Sequence, residues 1–243
     1  MADAKLIPRI PWTRFGFEGV LIVMSILAAF SIDAWWESRS EAKQEQALLL
    51  ALSEDFTEAE SLLSAATAMH NMTARAGEQL ITLGESGNFP EADRDGIDLL
   101  VGSHFARAIF SPPMGTVESV IGSGRIDLLT NRELVAELTQ WSSVVSRLQI
   151  LEIEAREHFY DRIYPYLATR LNLKDLDKGY RQYLESFPWD QARTNAFTLV
   201  SDQEFLNIVY VHWVIKTNIL TAVEPVEASL ARIRNLIEKE LSD

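Results

Sequence analysis

Four histidines, His70, His104, His158 and His212, are the first residues a metal centre or acid–base site would call on. None belongs to an HExxH pattern, and no Glu-x-x-His is present to build a carboxylate-bridged dimetal site in a helical bundle. Glu154 and His158 stand four apart on one helical face, a spacing that suits two metal ligands but more often makes a surface pair. His212 falls on an apolar stripe, which predicts a core histidine with its polar atoms satisfied, or one at the core's edge. Neither a GxSxG elbow nor a phosphate-binding GxxxxGK[ST] loop occurs. Gly122-Ser123-Gly124 reads as a turn. The absence of cysteine excludes a disulfide framework, thiol catalysis, thiolate zinc sites and cysteine-ligated iron–sulfur clusters. The sequence thus predicts no enzyme, no metal and no cofactor.

The remaining candidate is a recognition surface. Aromatic residues from Phe159 to Trp189 are interspersed with Arg156, Arg162, Arg170 and Arg181, the residue types that carry much of the energy at interfaces. The competing reading is that these rings close one end of a bundle. Asn71-Met72-Thr73 matches a glycosylation acceptor but lies on a predicted helix, so the match is read as chance. A net charge of -13 and a pI near 4.8 argue against nucleic acid and anionic head groups, which need clustered Lys and Arg.

The elements that would position these residues are helical. No Gly or Pro interrupts Val20 through Ala76. Leu48, Leu52, Phe56, Leu62, Leu63, Ala66, Met69, Ala76 and Leu80 recur at three- and four-residue steps, a stripe of the kind that bundles and coiled coils bury. Gly84 to Pro90 is a turn. A shorter helix follows near Asp95 to Ile109, ended by Pro112-Pro113, and a shorter one still spans Thr116 to Ile121. Thr130-Asn131-Arg132-Glu133 fits a capping box opening a long helix whose stripe is Leu134, Leu138, Trp141, Val145, Leu148, Leu151, Ala155, Phe159 and Ile163. Pro165 should bend it or bring it near its end. From Leu171 to Asn195 the pattern reads as a short helix and loops. Ser201-Asp202-Gln203-Glu204 is a second capping box, opening a final helix to about Leu241 with stripe Phe205, Ile208, His212, Ile215, Ile219, Val226, Leu230, Ile233 and Ile237, and with Pro225 as a kink. No strand pattern stands out. The fold class is all-α, an N-terminal transmembrane helix continuing into an elongated antiparallel helical bundle.

That transmembrane assignment rests on Arg14 to Arg39, an almost unbroken apolar run with Phe15 and Phe17 at one rim and Trp35 and Trp36 at the other. At about 1.5 Å per residue, 15–36 reaches roughly 30 Å, enough to cross a bilayer once. A cleavable signal peptide is the nearest alternative, since Lys5, Arg9 and Arg14 form a basic lead and Ala29-Phe30-Ser31 offers small residues for cleavage. The apolar run passes through that site to the tryptophan pair, which suits a retained signal-anchor with an interfacial aromatic belt. The basic lead predicts a cytoplasmic N-terminus over 1–14 and an extracytoplasmic, periplasmic domain over 37–243. Glu18 and Asp33 lie near the rims, either solvated at the interface or contacting a partner helix. Ser25 and Ala29, four apart, would let another helix approach closely.

Phe17-Glu18-Gly19-Val20-Leu21-Ile22 through Ile32-Asp33-Ala34-Trp35 resembles the span of a family of uncharacterised single-span bacterial membrane proteins, with Glu near its start and a polar residue before Trp at its exit. Thr116-x-x-x-Val120 through Gly124-Arg125-Ile126-Asp127-Leu128-Leu129-Thr130-Asn131 and Leu134 is similar to that family's short-helix, Gly, Leu, Asn, long-helix block. Trp36 departs from it, standing where the family often has a polar residue. The resemblance covers about a third of the chain and implies a topology and a helical domain in the bacterial inner membrane, without an activity. The expected function is a membrane-anchored, non-enzymatic scaffold or accessory subunit. Its partners would be the lipid bilayer and another membrane or periplasmic protein or a second copy, with Glu18, Ser25, Ala29, Asp33 and Trp189 as candidate contacts. The alternative is a ligand-sensing periplasmic domain that passes its signal to a partner.

Overall fold

The computed structural model describes residues 12–87, 94–171, 173 and 196–242, and every regular element among them is helical. In order these are α1 (Trp12–Ser86), α2 (Arg94–His104), α3 (Gly115–Gly122), a 3-10 turn (Arg125–Leu128), α4 (Arg132–His158), a π turn (Phe159–Ile163), α5 (Tyr164–Ala168), a second 3-10 turn (Ala196–Ser201) and α6 (Gln203–Ser242). The chain divides into two compact units, Met1–Leu48 and Leu49–Asp243, and α1 contributes to both.

In the first unit, every residue from Leu21 to Gln44 is exposed, including Leu21, Ile22, Val23, Met24, Phe30 and Ile32. The Ser25 and Ser31 hydroxyls each donate to the carbonyl four residues back, Leu21 and Leu27, at 2.8 Å. Both of these hydroxyls in the apolar run are therefore satisfied within the helix, as a hydrocarbon environment requires. The Trp35 and Trp36 rings lie 6.5 Å apart, with the Arg39 guanidinium 5.8 Å from the Trp35 ring.

The second unit is a bundle of the later part of α1 with α4 and α6. Phe56 meets Trp141 and His70 meets Glu152, so α1 and α4 run in the same direction. Asn131 reaches Glu240 and Glu137 reaches Arg232, so α6 is antiparallel to α4. The antiparallel character thus comes from α6. α2 and the segment after it carry the chain back between the two parallel helices, His104 sitting against Thr73 and Phe110 against Gln149 and Trp141. At one end of the unit Leu80, Ile97, Val101, Phe105, Ile163 and Phe205 form a continuous apolar cluster.

Several boundaries differ from the sequence reading, each for a local reason. α1 continues through Gly84 and stops at Gly87, whose φ of +60° only glycine adopts freely. α2 ends at His104 rather than Ile109, because the His104 ring is tied to Thr73 and Val209 and the chain then turns into the bundle. Pro165 does stand near the helix end, which comes at Ala168; the π turn before it widens the coil, and Pro165 sits in the first turn of α5, where a missing N–H costs little. Both predicted capping boxes are displaced by one residue. Asn131, not Thr130, is the cap of α4, its Oδ1 accepting from the N–H groups of Glu133 and Leu134. Asp202, not Ser201, accepts from the Glu204 N–H at the start of α6. Most of Leu171 to Asn195 lies outside the described residues.

Candidate functional site: a polar seam and a basic pocket

The buried stripe of α4 is apolar but for Glu152, and that of α6 but for His212, Lys216 and Ser229. On α4 the buried position after Leu148 is Glu152, not Leu151, and on α6 the buried positions include Val209, His212 and Lys216 in place of Ile208 and Ile215. Glu152 follows Leu148 by four and precedes Ala155 by three, and Lys216 holds the same relation to His212 and Ile219. The helical period therefore carries a carboxylate and an amine into the interior.

Both oxygens of Glu152 are engaged. Oε1 accepts from His70 Nε2 at 2.9 Å, and Oε2 accepts from the Phe110 backbone N–H at 3.0 Å. Gln149 Nε2 donates to the Phe110 carbonyl, so α4 holds the segment after α2 by both its donor and its acceptor. Lys216, 1 % exposed, forms no ion pair within 4 Å among the described residues. Burial lowers its pKa to about 8, and the more distant Glu152 carboxylate offsets part of that shift.

Beside these groups three imidazoles gather. His104 and His212 meet edge to face with centroids 5.0 Å apart, and His158 stacks on His212 at 6.3 Å. His104 Nδ1 lies 2.9 Å from the Thr73 carbonyl and Nε2 lies 3.2 Å from that of Val209. A neutral ring has one N–H, so only one carbonyl receives it. Burial lowers the pKa of His104 to about 4 and that of His212 well below its usual value; His158 is also lowered. His212 was expected to be satisfied. It is fully buried, yet neither ring nitrogen has a hydrogen-bond partner. Gly77 makes the cluster sterically feasible, since a Cβ there would stand 2.4 Å from His104 Cε1.

A cavity of about 180 Å³ opens on this seam. Arg107, Arg156, Lys216 and Glu152 line it, with Ala108, Ile109 and Ala155 as its apolar wall. Arg107 is held over the rings of Phe159 and Tyr160, at 4.3 and 5.2 Å, without an ion pair among the described residues. The other strongly placed arginines are paired: Arg170 with Glu204, Arg232 with Glu137, Arg234 with Glu60.

Of the residues singled out from sequence, Ser25, Ala29 and Asp33 are exposed on α1, and Glu18 lies within that helix. Trp189 lies outside the described residues, as does the rest of the aromatic cluster after Leu173. In the described part, Phe159 and Tyr166 join the core and Tyr160 and Tyr164 stay exposed. The Tyr166 hydroxyl donates to Asp202, and the Tyr166 ring carries the Arg170 guanidinium at 3.8 Å. Thr73 is fully buried and donates to the His70 carbonyl, so Asn71-Met72-Thr73 is a helical coincidence. Glu154 points to solvent, away from the seam, and no group of three or more His, Asp or Glu among the described residues is placed to hold a metal ion. Sequence reasoning missed Glu152, Lys216 and Arg107 and named His104 without placing it; for Glu152 and Lys216 the signal was a charge standing in a stripe slot. No family model, curated protein or solved structure matches the chain.

Proposed function

We propose that this chain is a membrane-tethered, non-enzymatic scaffold or accessory subunit, anchored through 15–36 with its N-terminus in the cytoplasm of a bacterium and its helical body on the far side of the inner membrane. The observation that carries this reading is the contrast within α1. Its apolar window near the N-terminus has 0 % of its residues buried, whereas the apolar window of α6 is 28 % buried and supplies the bundle core. An apolar surface that none of the described residues covers suits lipid, and the self-satisfied serines and the rim tryptophans suit it further. Among the described residues, two helices are long and apolar enough to cross a membrane. α6 is read as a core helix because it carries Lys216 and His212 inward and packs along α4. Under alkaline carbonate extraction the full chain should stay with the membrane, and a C-terminal alkaline phosphatase fusion should be active while the fluorescent-protein fusion is dark. Release into the aqueous fraction would remove the anchor, and the reverse fusion result would invert the topology. Crosslinking in membranes followed by purification in mild detergent should recover a second envelope protein or a homo-oligomer.

A second reading, a ligand-sensing domain that passes its signal to a partner, is favoured by the basic pocket between the α2–α3 segment, α4 and α6. A thermal-shift screen with small metabolites separates the two, since a ligand that binds only the folded state raises its melting temperature.

A further inference from the structure

The basic pocket departs most from what packing alone would build in this chain. Acidic residues outnumber basic ones 35 to 22, yet three cationic side chains converge on one cavity of about 180 Å³. None of Arg107, Arg156 and Lys216 forms an ion pair with a carboxylate of the described residues. The one carboxylate in the lining, Glu152, has both oxygens occupied by His70 and the Phe110 N–H. The lining thus carries an excess of positive charge, three cations against one carboxylate. An ammonium group withdrawn from water with no partner is costly, and an anion supplied from outside is the direct way to offset it.

We infer that this cavity is a binding site for a small organic carboxylate, its anionic end held by Arg107, Arg156 and Lys216 and its short apolar part against Ile109 and Ala155. A guanidinium donates two parallel N–H···O bonds to a carboxylate, and the two arginines bring such forks to the pocket's lining. Size sets an upper bound. A cavity of about 150 Å³ holds benzene, so this one holds roughly six to eight heavy atoms, the range of butyrate and succinate. An apolar wall is wasted on inorganic phosphate or sulfate, which are polar on every side. The inference deepens the second reading above, on which its biological sense rests, while the site itself stands on the pocket alone.

The test is isothermal titration of the full chain in mild detergent with butyrate, succinate, inorganic phosphate and sulfate. At least one carboxylate is expected to bind saturably at one site, and more tightly than either inorganic ion. Lys216→Met keeps the buried volume and removes the charge, and Arg107→Gln removes the fork; each should weaken binding at least tenfold. Arg156→Ala, at an exposed position where the fold is not at stake, should weaken it several-fold. Failure of both carboxylates to bind, binding indifferent to all three substitutions, or phosphate or sulfate binding as tightly as the carboxylates would overturn the assignment. Sensing is read separately, by repeating the crosslinking with and without the carboxylate that binds. An unchanged partner profile would sink the sensing reading and leave the site standing.

Discussion

Lys216 and Gly77 show opposite ways in which one residue sets the stability of the second unit. The folded state holds the Lys216 amine at a pKa of about 8 against an ordinary 10.5. A base whose pKa is lowered by folding binds its proton more weakly in the native state, so it destabilises fully below about pH 8 and the penalty fades as pH rises toward 10.5. A shift of that size corresponds to roughly 3 kcal/mol. Lys216→Met is therefore expected to raise the melting temperature of the unliganded protein at pH 7 by several degrees, read by circular dichroism, and the gain should shrink at pH 10. A variant that melts lower at pH 7 would show that the amine is compensated by contacts of its own. Gly77→Ala runs the other way. Alanine is the better helix former by about 1 kcal/mol, but its Cβ would collide with the His104 ring and press on the Trp213 Cβ at 3.3 Å. Because the His104 ring is buried and held by a hydrogen bond to one of the two carbonyls beside it, the clash should win: a net loss of about 1–3 kcal/mol is expected in chemical unfolding.

At the scale of the elements, the caps decide where helices begin. Asn131→Ala should lose about 1–2 kcal/mol, since the side chain both caps α4 through two N–H groups and donates to Glu240 of α6 at 2.8 Å. The same comparison explains what the sequence made legible. Long helices of Ala, Leu and Glu with period 3.6 were readable from residue spacing alone, and so were the Pro- and Gly-rich breaks, because those signals are local. The one-residue displacement of both caps was not, because Thr130-Asn131 and Ser201-Asp202 each offer two competent capping residues in sequence, and the choice between them depends on the helix phase that tertiary packing selects. The π turn at Phe159–Ile163 was hidden for a related reason. Phe159, Ile163, Tyr166 and Leu167 stand at i, i+4, i+7 and i+8, the face an unbroken α-helix would also bury, so the spacing of the core residues does not announce it. The seam itself was half legible. A stripe read for hydrophobicity passes over Glu152 and Lys216 and substitutes Leu151 and Ile215, their neighbours, whereas a stripe read for position would have retained them.

For the whole molecule, acid should act through the interior rather than through the surface. The chain carries a formal charge of -13, so relief of self-repulsion would by itself make mild acid stabilising. Ordinary carboxylates titrate near pH 4, however, and keep their charge down to about pH 5, so little repulsion is relieved in that window. The histidines respond earlier. His104 is held at a pKa of about 4, and His212 and His158 are lowered as well, while in the unfolded chain each takes a proton near pH 6.5. The unfolded state therefore binds more protons as pH falls below about 6.5, and stability declines with it; for His104 the loss approaches roughly 3 kcal/mol by pH 4. His212 faces His104, His158, Lys216 and Arg107, so every charged or protonatable neighbour opposes its protonation. Melting temperatures measured at pH 7, 6 and 5 are expected to fall, and His212→Phe, which fills the space with no orphaned nitrogen, should raise the curve and reduce its slope. A melting temperature that is level or rising across that range would mean that the imidazoles gain partners when protonated, and the seam would then have to be read as a proton-accepting site rather than a dry one.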